Sequence, residues 1–291
     1  MVVATGFFDG VHLGHRAILE ALVSEAARRG TGSVAVSFWP HPRTVLQDSA
    51  RNLRLLSSLG EKEALVRGTG VERFEVLPFT DEFSRMTASE YVRNVLKERF
   101  GADAVVLGYD NRLGGGGESH ADVVEIIRAE GLDIITPEPV YVGGVAVSSS
   151  KIRTMLSCGD IASASACLGR LYSLEGVVVS GNRLGRTIGF PTANIRLYEP
   201  LKLIPGGGVY AVWVETAGGK YLGMCNIGSR PTVGGSYVTI EVNIFGFDRE
   251  IYGRDIRLSL ISRIRDEKRF ESLSQLRLQL EKDRDYCLSN F

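Results

Sequence analysis

Hydrophobic and polar positions follow one rhythm in the first half of the chain and another in the second. In the first half, short β-branched runs are separated by stretches whose apolar residues recur every three or four positions, the pattern of helices crossing over between parallel strands. Val2 to Thr5 (VVAT) reads as the first strand. His15 to Arg29 carries Ile18, Leu19, Leu22, Val23 and Ala26 on one face, ends in Arg28 and Arg29 and meets Gly30, so periodicity, dipole and stop signal agree on a helix. Further strands are expected from Ser33 (SVAVSF), Arg73 (RFEVL), Ala102 (ADAVVL) and Asp133 (DIIT), with capping boxes at Ser58/Glu61 and Thr87/Glu90 opening helices between them. The expectation for residues 1–156 is an α/β doubly wound, Rossmann-like nucleotide fold. Its ligand belongs at the carboxyl ends of the strands, where VVAT gives way to the loop at Gly6.

After a linker expected over 157–170, residues 171–291 alternate with period two, in strands starting near Leu174, Val209, Tyr221, Tyr237 and Ile256. Glycine-rich turns at Gly206 to Gly208, Gly218/Gly219 and Gly234/Gly235 separate them, which predicts antiparallel pairing in a small barrel or sandwich. Ser272 to Leu288 places Leu273, Leu276 and Leu280 at helical spacing, a C-terminal helix expected to pack on that sheet.

Charge narrows the function. Lys plus Arg (34) equals Asp plus Glu (34), so no overall positive field is available to hold a nucleic acid or an anionic membrane. No apolar run approaches the roughly 20 residues of a membrane span, and Met1 leads into a strand without a signal-peptide pattern. The expectation is a cytoplasmic protein acting on small molecules, a monomer or weak homo-oligomer. Cys158, Cys167, Cys225 and Cys287 lack CxxC pairing and read as reduced thiols, mostly packing residues.

Five stretches carry candidate chemistry. Gly6 to His15 (GFFDGVHLGH) follows the first strand and opens the first helix. Gly14 leaves room for a phosphate to approach backbone N–H groups at the positive helix end, and His12 and His15 add donors able to stabilise charge on an α-phosphate and a leaving pyrophosphate. Ser148 to Arg153 (SSSKIR) sets hydroxyls and two cations at another strand-to-helix turn, while FWPHP (Phe38 to Pro42) and GYDNRLG (Gly108 to Gly114) fall beyond two further strands. In the second half, Gly185 to Ile195 (GRTIGFPTANI) puts Thr192 and Asn194 on one side of an extended chain, an oxygen pair suited to a hard cation. Glycine, threonine and asparagine also serve plain turns and caps, so each stretch alone has a structural reading as well.

Taken together and in order, these residues resemble the bacterial bifunctional riboflavin kinase/FAD synthetase family. GxFDGVHxGH, FxPHP, GxDFRFG and SSTxIR elements match its nucleotidyltransferase module. PTAN is the riboflavin kinase signature, and LGR at Leu168, GVYA at Gly208, NIGSRPT at Asn226, IEV at Ile240 and RDEKRF at Arg265 follow that family to the C-terminal helix.

The resemblance implies that ATP and riboflavin give FMN in a six-stranded C-terminal barrel, and that ATP and FMN give FAD and pyrophosphate in the first domain. By it, His12 and His15 are catalytic; Gly6, Phe7, Phe8, Asp9, Gly14, Asp110, Ser148, Ser149 and Arg153 bind the nucleotide of the first site. In the kinase, Glu241 is the general base, while Gly185, Arg186, Gly189, Pro191, Thr192 and Asn194 bind ATP. Thr192 and Asn194 hold Mg2+, and Arg265, Glu267 and Phe270 lie by the flavin.

Two departures stand out. DFRFG reads Asp110-Asn111-Arg112-Leu113-Gly114, without either aromatic, and Asn243 stands where the family often has histidine. The alternatives are a riboflavin kinase with a weakened or regulatory first domain, a different nucleotidyl acceptor, and a non-catalytic flavin binder.

Overall fold

The computed structural model describes residues 1–42, 53–109, 113–115, 117–181, 184–232 and 235–291. The chain forms two compact units, Met1–Ser149 and Ser150–Phe291. In the first, β1 (Val2–Thr5), β2 (Ser33–Trp39), β3 (Arg73–Pro78), β4 (Ala104–Val106) and β5 (Asp133–Ile135) make one sheet ordered β3-β2-β1-β4-β5. All its pairs are parallel.

The near-continuous apolar runs are explained by helices on both faces. Val3, Val34, Val36 and Val105 share a core with residues of α3 (Tyr91–Arg99, wound wider than an α-helix) and α4 (His120–Ala129). Val2, Ala4, Ala35 and Val106 share the other with Leu19 and Leu22 of α1 (Leu13–Arg29) and Val66 of α2 (Leu59–Arg67). Both expected capping boxes form, and Gly30 closes α1 in a left-handed conformation. The strand order reverses at β1, so the ends of β1, β2 and β4 open onto the crevice where such sheets bind ligands. A short hairpin of β6 (Tyr141–Val142) and β7 (Val145–Ala146), turned by Gly143 and Gly144, follows the sheet and had no signal in the alternation pattern.

The end of the first unit differs from the expected boundary. Helix α5 (Ser149–Ser157) starts at the SSSKIR element, and the stretch expected as linker contains α6 (Ile161–Leu168), capped by Asp160 and stopped at Gly169. Ile161, Ala164, Cys167 and Leu168 are buried, which makes this segment part of a core. Its small residues (IASASACL) hid the apolar face from a periodicity reading.

The second unit closes a six-stranded barrel from β8 (Ser173–Val179), β9 (Ala193–Leu197), β10 (Gly208–Thr216), β11 (Gly219–Thr232), β12 (Gly235–Ile244) and β13 (Asp255–Arg265), ordered β10-β11-β12-β9-β8-β13. Neighbours are antiparallel throughout. The β12–β9 seam is short, pairing Glu241 with Asn194 and Val242 with Ala193.

Helix α7 (Leu273–Asn290) ends the chain. The expected Leu273 contact is not made: Leu273 is 51% exposed. The buried positions of α7 are Asp283 and Cys287, with Leu280 packed beside Cys287 against Phe190, Val209 and Met224. Among the described residues no helix is long and apolar enough to cross a membrane.

Candidate active site

The loop after β1 is built on Asp9. Its buried carboxylate accepts from the N–H groups of Leu56 (2.9 Å) and Ser57 (3.1 Å), and Ser57 Oγ accepts from Gly10 N–H at 3.0 Å. These bonds hold a turn in which Phe8 (φ 52°) and Val11 (φ 37°) are left-handed. That conformation costs a non-glycine residue on the order of 1–3 kcal/mol, which charge-assisted hydrogen bonds can offset.

The turn delivers His12 to the N-cap of α1, where Nδ1 accepts the His15 N–H at 3.3 Å. An accepting Nδ1 carries no proton, which leaves the ring N–H on Nε2. The rings of His12 and His15 stack with centroids 3.6 Å apart and planes 16° from parallel. A Cβ at Gly14 would come within 3.3 Å of the His12 ring, so the glycine makes room for the imidazole. Ser149 Oγ donates to the Asp9 carbonyl at 3.1 Å, which brings the start of SSSKIR to the same loop. Ser148 is half-buried, and Arg153 lies one turn along α5 from Ser149. Asp110, with Asn111 and Arg112, lies outside the described residues.

Beside this loop is a cavity of about 280 Å³ at the strand ends. Gly6 and Phe7 follow β1, Phe38 ends β2, and Phe79, Phe83 and Tyr91 close the wall. Phe38, Phe79, Phe83 and Tyr91 touch one another as tilted and edge-on rings with centroids 5.5–6.1 Å apart. The Tyr91 hydroxyl shares a 2.7 Å hydrogen bond with Thr5 Oγ1, and burial pushes its pKa up. The sequence reading missed Phe79, Phe83 and Tyr91. Their signal was position, since Phe79 comes directly after a parallel strand. Leu113, one of the two non-aromatic departures, also lines this cavity and is buried.

In the second unit a cavity of about 340 Å³ gathers seven of the expected residues: Gly185, Thr192, Asn194, Glu241, Arg265, Glu267 and Phe270. Thr192 and Asn194 do face the same space, as period two requires. Arg186 and Pro191 line an adjoining hollow of about 80 Å³ that also touches Thr192, and Gly189 turns the chain between them at φ 84°.

Asn194 needs a bare backbone opposite it: a Cβ at Gly181 would stand 2.0 Å from its Nδ2. Asn243 Nδ2 donates to the Pro191 carbonyl at 2.7 Å. A side-chain rung thus carries the β12–β9 seam past its last backbone pair, where proline has no N–H to give. Burial, and then the Glu241 carboxylate, push the Cys225 thiol up.

The cavity wall opposite β12 comes from Leu276 and Leu280 of α7 and from Arg265 at the end of β13. Arg265 is tied to α7. Its Nε and Nη2 donate to the Asp283 carboxylate at 2.8–3.1 Å, and Gln279 Nε2 donates to the same group at 2.9 Å. The sequence reading missed Asp283. Among the described residues no cluster of three or more His, Cys, Asp or Glu could hold a metal ion.

Comparison with known proteins agrees with this division. Residues 1–151 match the FAD synthetase family model and residues 168–291 the riboflavin kinase model. The bifunctional riboflavin kinase/FMN adenylyltransferase of Escherichia coli K12 is 36% identical over 284 residues, covering 97% of this chain and 90% of that protein. The protein of that name from Bacillus subtilis 168 is 33% identical, covering 100% and 92%.

A crystal structure from Streptococcus pneumoniae, described as a macrolide-efflux protein, superposes with a TM-score of 0.92 at 32% identity, covering 100% of this chain and 94% of that one. The similarity extends over both units. With two family models in the order of the two units and relatives matched almost end to end, the chain belongs to the bifunctional riboflavin kinase/FMN adenylyltransferase family.

Proposed function

We propose that this chain phosphorylates riboflavin to FMN with ATP in its second unit and adenylylates FMN to FAD with ATP in its first, releasing pyrophosphate. The observation that carries the reading is that each unit has its own cavity at its motif residues: in the second, apolar walls meet Thr192, Asn194 and Glu241, and in the first an aromatic cavity adjoins, through Gly6 and Phe7, the loop that carries His12 to α1.

In the first unit the aromatic wall suits a flat ring system, and we assign the flavin there. The N–H groups at the start of α1, with His12 and His15, serve the ATP phosphates. An FMN phosphate oxygen attacks the α-phosphorus of ATP, the bond to the β-phosphate oxygen breaks and pyrophosphate leaves. No base is required, because a phosphomonoester with a second pKa of about 6 is already ionised at neutral pH. What the site supplies is alignment and donors for the accumulating charge.

In the second unit Glu241 takes the proton of the ribityl 5′-hydroxyl while that oxygen attacks the γ-phosphorus and ADP leaves. Thr192 and Asn194 offer one hydroxyl and one carboxamide oxygen, a donor set that suits Mg2+ arriving with ATP, since this ion keeps few protein ligands beside the phosphates. When bound it would neutralise phosphate charge. Glu267 and Phe270 frame the flavin end of the cavity.

Product analysis of two variants tests the reading. His15→Ala should lower FMN-to-FAD conversion on the order of a hundredfold, the usual effect of removing a transition-state donor, and spare riboflavin phosphorylation. Glu241→Gln should abolish that phosphorylation and spare FAD formation from supplied FMN. Either variant stopping the other unit's reaction while remaining folded would break the assignment.

A further inference from the structure

Lys62 has no part in the function derived above, yet its side chain is completely buried. It occupies a core position of α2, on the same face as Val66 one turn later. An ammonium there carries a desolvation cost that a methionine or leucine would not. Burial pushes its pKa down to about 8, with the Asp9 carboxylate pulling the other way.

What Lys62 grips is Phe7. Its Nζ stands over the ring, 3.5 Å from the centroid. It also donates to Ser37 Oγ at 3.3 Å, and the Ser37 hydroxyl donates to the Phe7 carbonyl at 3.1 Å. One cation therefore fixes Phe7 twice, at the ring through its π face and at the backbone through a hydroxyl. Phe7 lies in the left-handed turn after β1 and walls the aromatic cavity. The Trp39 ring is also near, but at 6.0 Å against 3.5 Å for Phe7, and a buried charge held this close to one ring makes sense where that ring's position matters.

We propose that Lys62 is a positioning residue for the flavin substrate of the first unit: it holds Phe7 as a fixed wall of the cavity and thereby sets the KM for FMN without touching the reacting atoms. This rests on the assignment of the flavin to that cavity.

The test uses the full chain, with FAD formation measured while FMN and ATP are varied separately. Lys62→Met should raise the KM for FMN about fivefold to tenfold, part of the roughly thirtyfold that a fully desolvated cation–π contact is worth, with kcat and the KM for ATP within about twofold of the parent. Lys62→Arg, which keeps a cation over the ring, should recover most of the loss. Phe7→Leu should raise the KM itself, and adding Lys62→Met to it should change nothing further, because the two residues act as one.

Ser37→Ala, which removes only the hydroxyl link, should raise the KM about twofold to threefold, and it carries the test if Lys62→Met does not fold. An unchanged KM for FMN in Lys62→Met, or in Ser37→Ala where that variant alone is available, overturns the proposal. So does a fall in kcat at constant KM, or multiplicative effects of Lys62→Met and Phe7→Leu. A parent enzyme that forms no FAD would instead refute the proposed function. A parent that forms FAD while Lys62→Met is indifferent refutes this inference alone.

Discussion

Asp283 offers a direct measure of how the C-terminal helix contributes to the kinase cavity. Its carboxylate is 2% exposed and receives the Arg265 guanidinium and the Gln279 amide, while Arg265 keeps 20% of its own side-chain exposure. Replacing Asp283 with Asn removes the negative charge and turns one donor toward another.

Breaking a buried pair from one side costs about 3–5 kcal/mol. Since Arg265 is partly exposed and can regain some water, the cost falls to the lower end or below it, and about 2–3 kcal/mol is expected. That loss falls on the contact between α7 and the barrel, so Leu276 and Leu280 should loosen before the strands do. Glu241 on β12 is left in place, so the KM for riboflavin should rise about tenfold, matching roughly 1.4 kcal/mol of lost wall, while kcat at saturation stays near the parent value.

The chain has two tryptophans, Trp39 in the first unit and Trp213 on β10 of the second. Denaturant unfolding followed by Trp213 fluorescence in a Trp39→Phe background reads the barrel alone. Hydrogen exchange over α7 reports its docking. Arg265→Met combined with Asp283→Leu should regain most of the stability, since an apolar pair replaces the ionic one. Asp283→Asn within about 0.5 kcal/mol of the parent, or a drop in kcat with the riboflavin KM unchanged, would refute the reasoning.

Asn243→Leu leaves the Pro191 carbonyl without its donor, so kcat/KM for ATP in the kinase reaction should fall about threefold to tenfold, the scale of one lost hydrogen bond at a partly exposed acceptor. Asn243→His retains an N–H donor and should stay near the parent, which initial rates at saturating riboflavin will check. Leu113→Phe restores one missing ring to a cavity wall already rich in aromatics and should lower the KM for FMN by about twofold to tenfold. Equal or weaker FMN binding in a titration would mean that Leu113 marks the edge of the cavity and makes no contact with the ring.

Much of the fold was legible because the two halves bury their cores in different ways. A parallel strand covered on both faces is apolar at every position, and VVAT and SVAVSF showed it. Barrel strands alternate, and YVTIEVNIF and IRLSLISRI showed that, whereas VYAVWVE is apolar on both faces because β10 is buried on both. The loop after β1 was legible as a candidate site because its glycine and histidine offsets follow the first strand and open the first helix, a position that the doubly wound order makes a ligand crevice. Phe79, Phe83 and Tyr91 come from one strand end and the helices beyond it, and only the doubly wound order makes them neighbours of Phe7 and Phe38. The Gly181 requirement was equally hidden, because the atom it makes room for belongs to Asn194 on another strand.

Lys62 and Asp283 share a deeper reason for having been missed. Each stands in a helix among other charged residues, in GEKEALVR and LEKDRDYC, where a charge reads as part of a solvated face. Hydrophobic periodicity registers the partners one turn away, Val66 after Lys62 and Cys287 after Asp283, but it scores the charge itself as a break in the stripe. Whether such a break faces water depends on what lies opposite: a ring and a hydroxyl for Lys62, a guanidinium from the end of β13 for Asp283. Those partners are 55, 25 and 18 positions away in the chain. A buried charge is therefore a long-range statement written at a local position. In this chain each of the two stands behind the wall of a cavity and not inside it, where it fixes the shape of the wall.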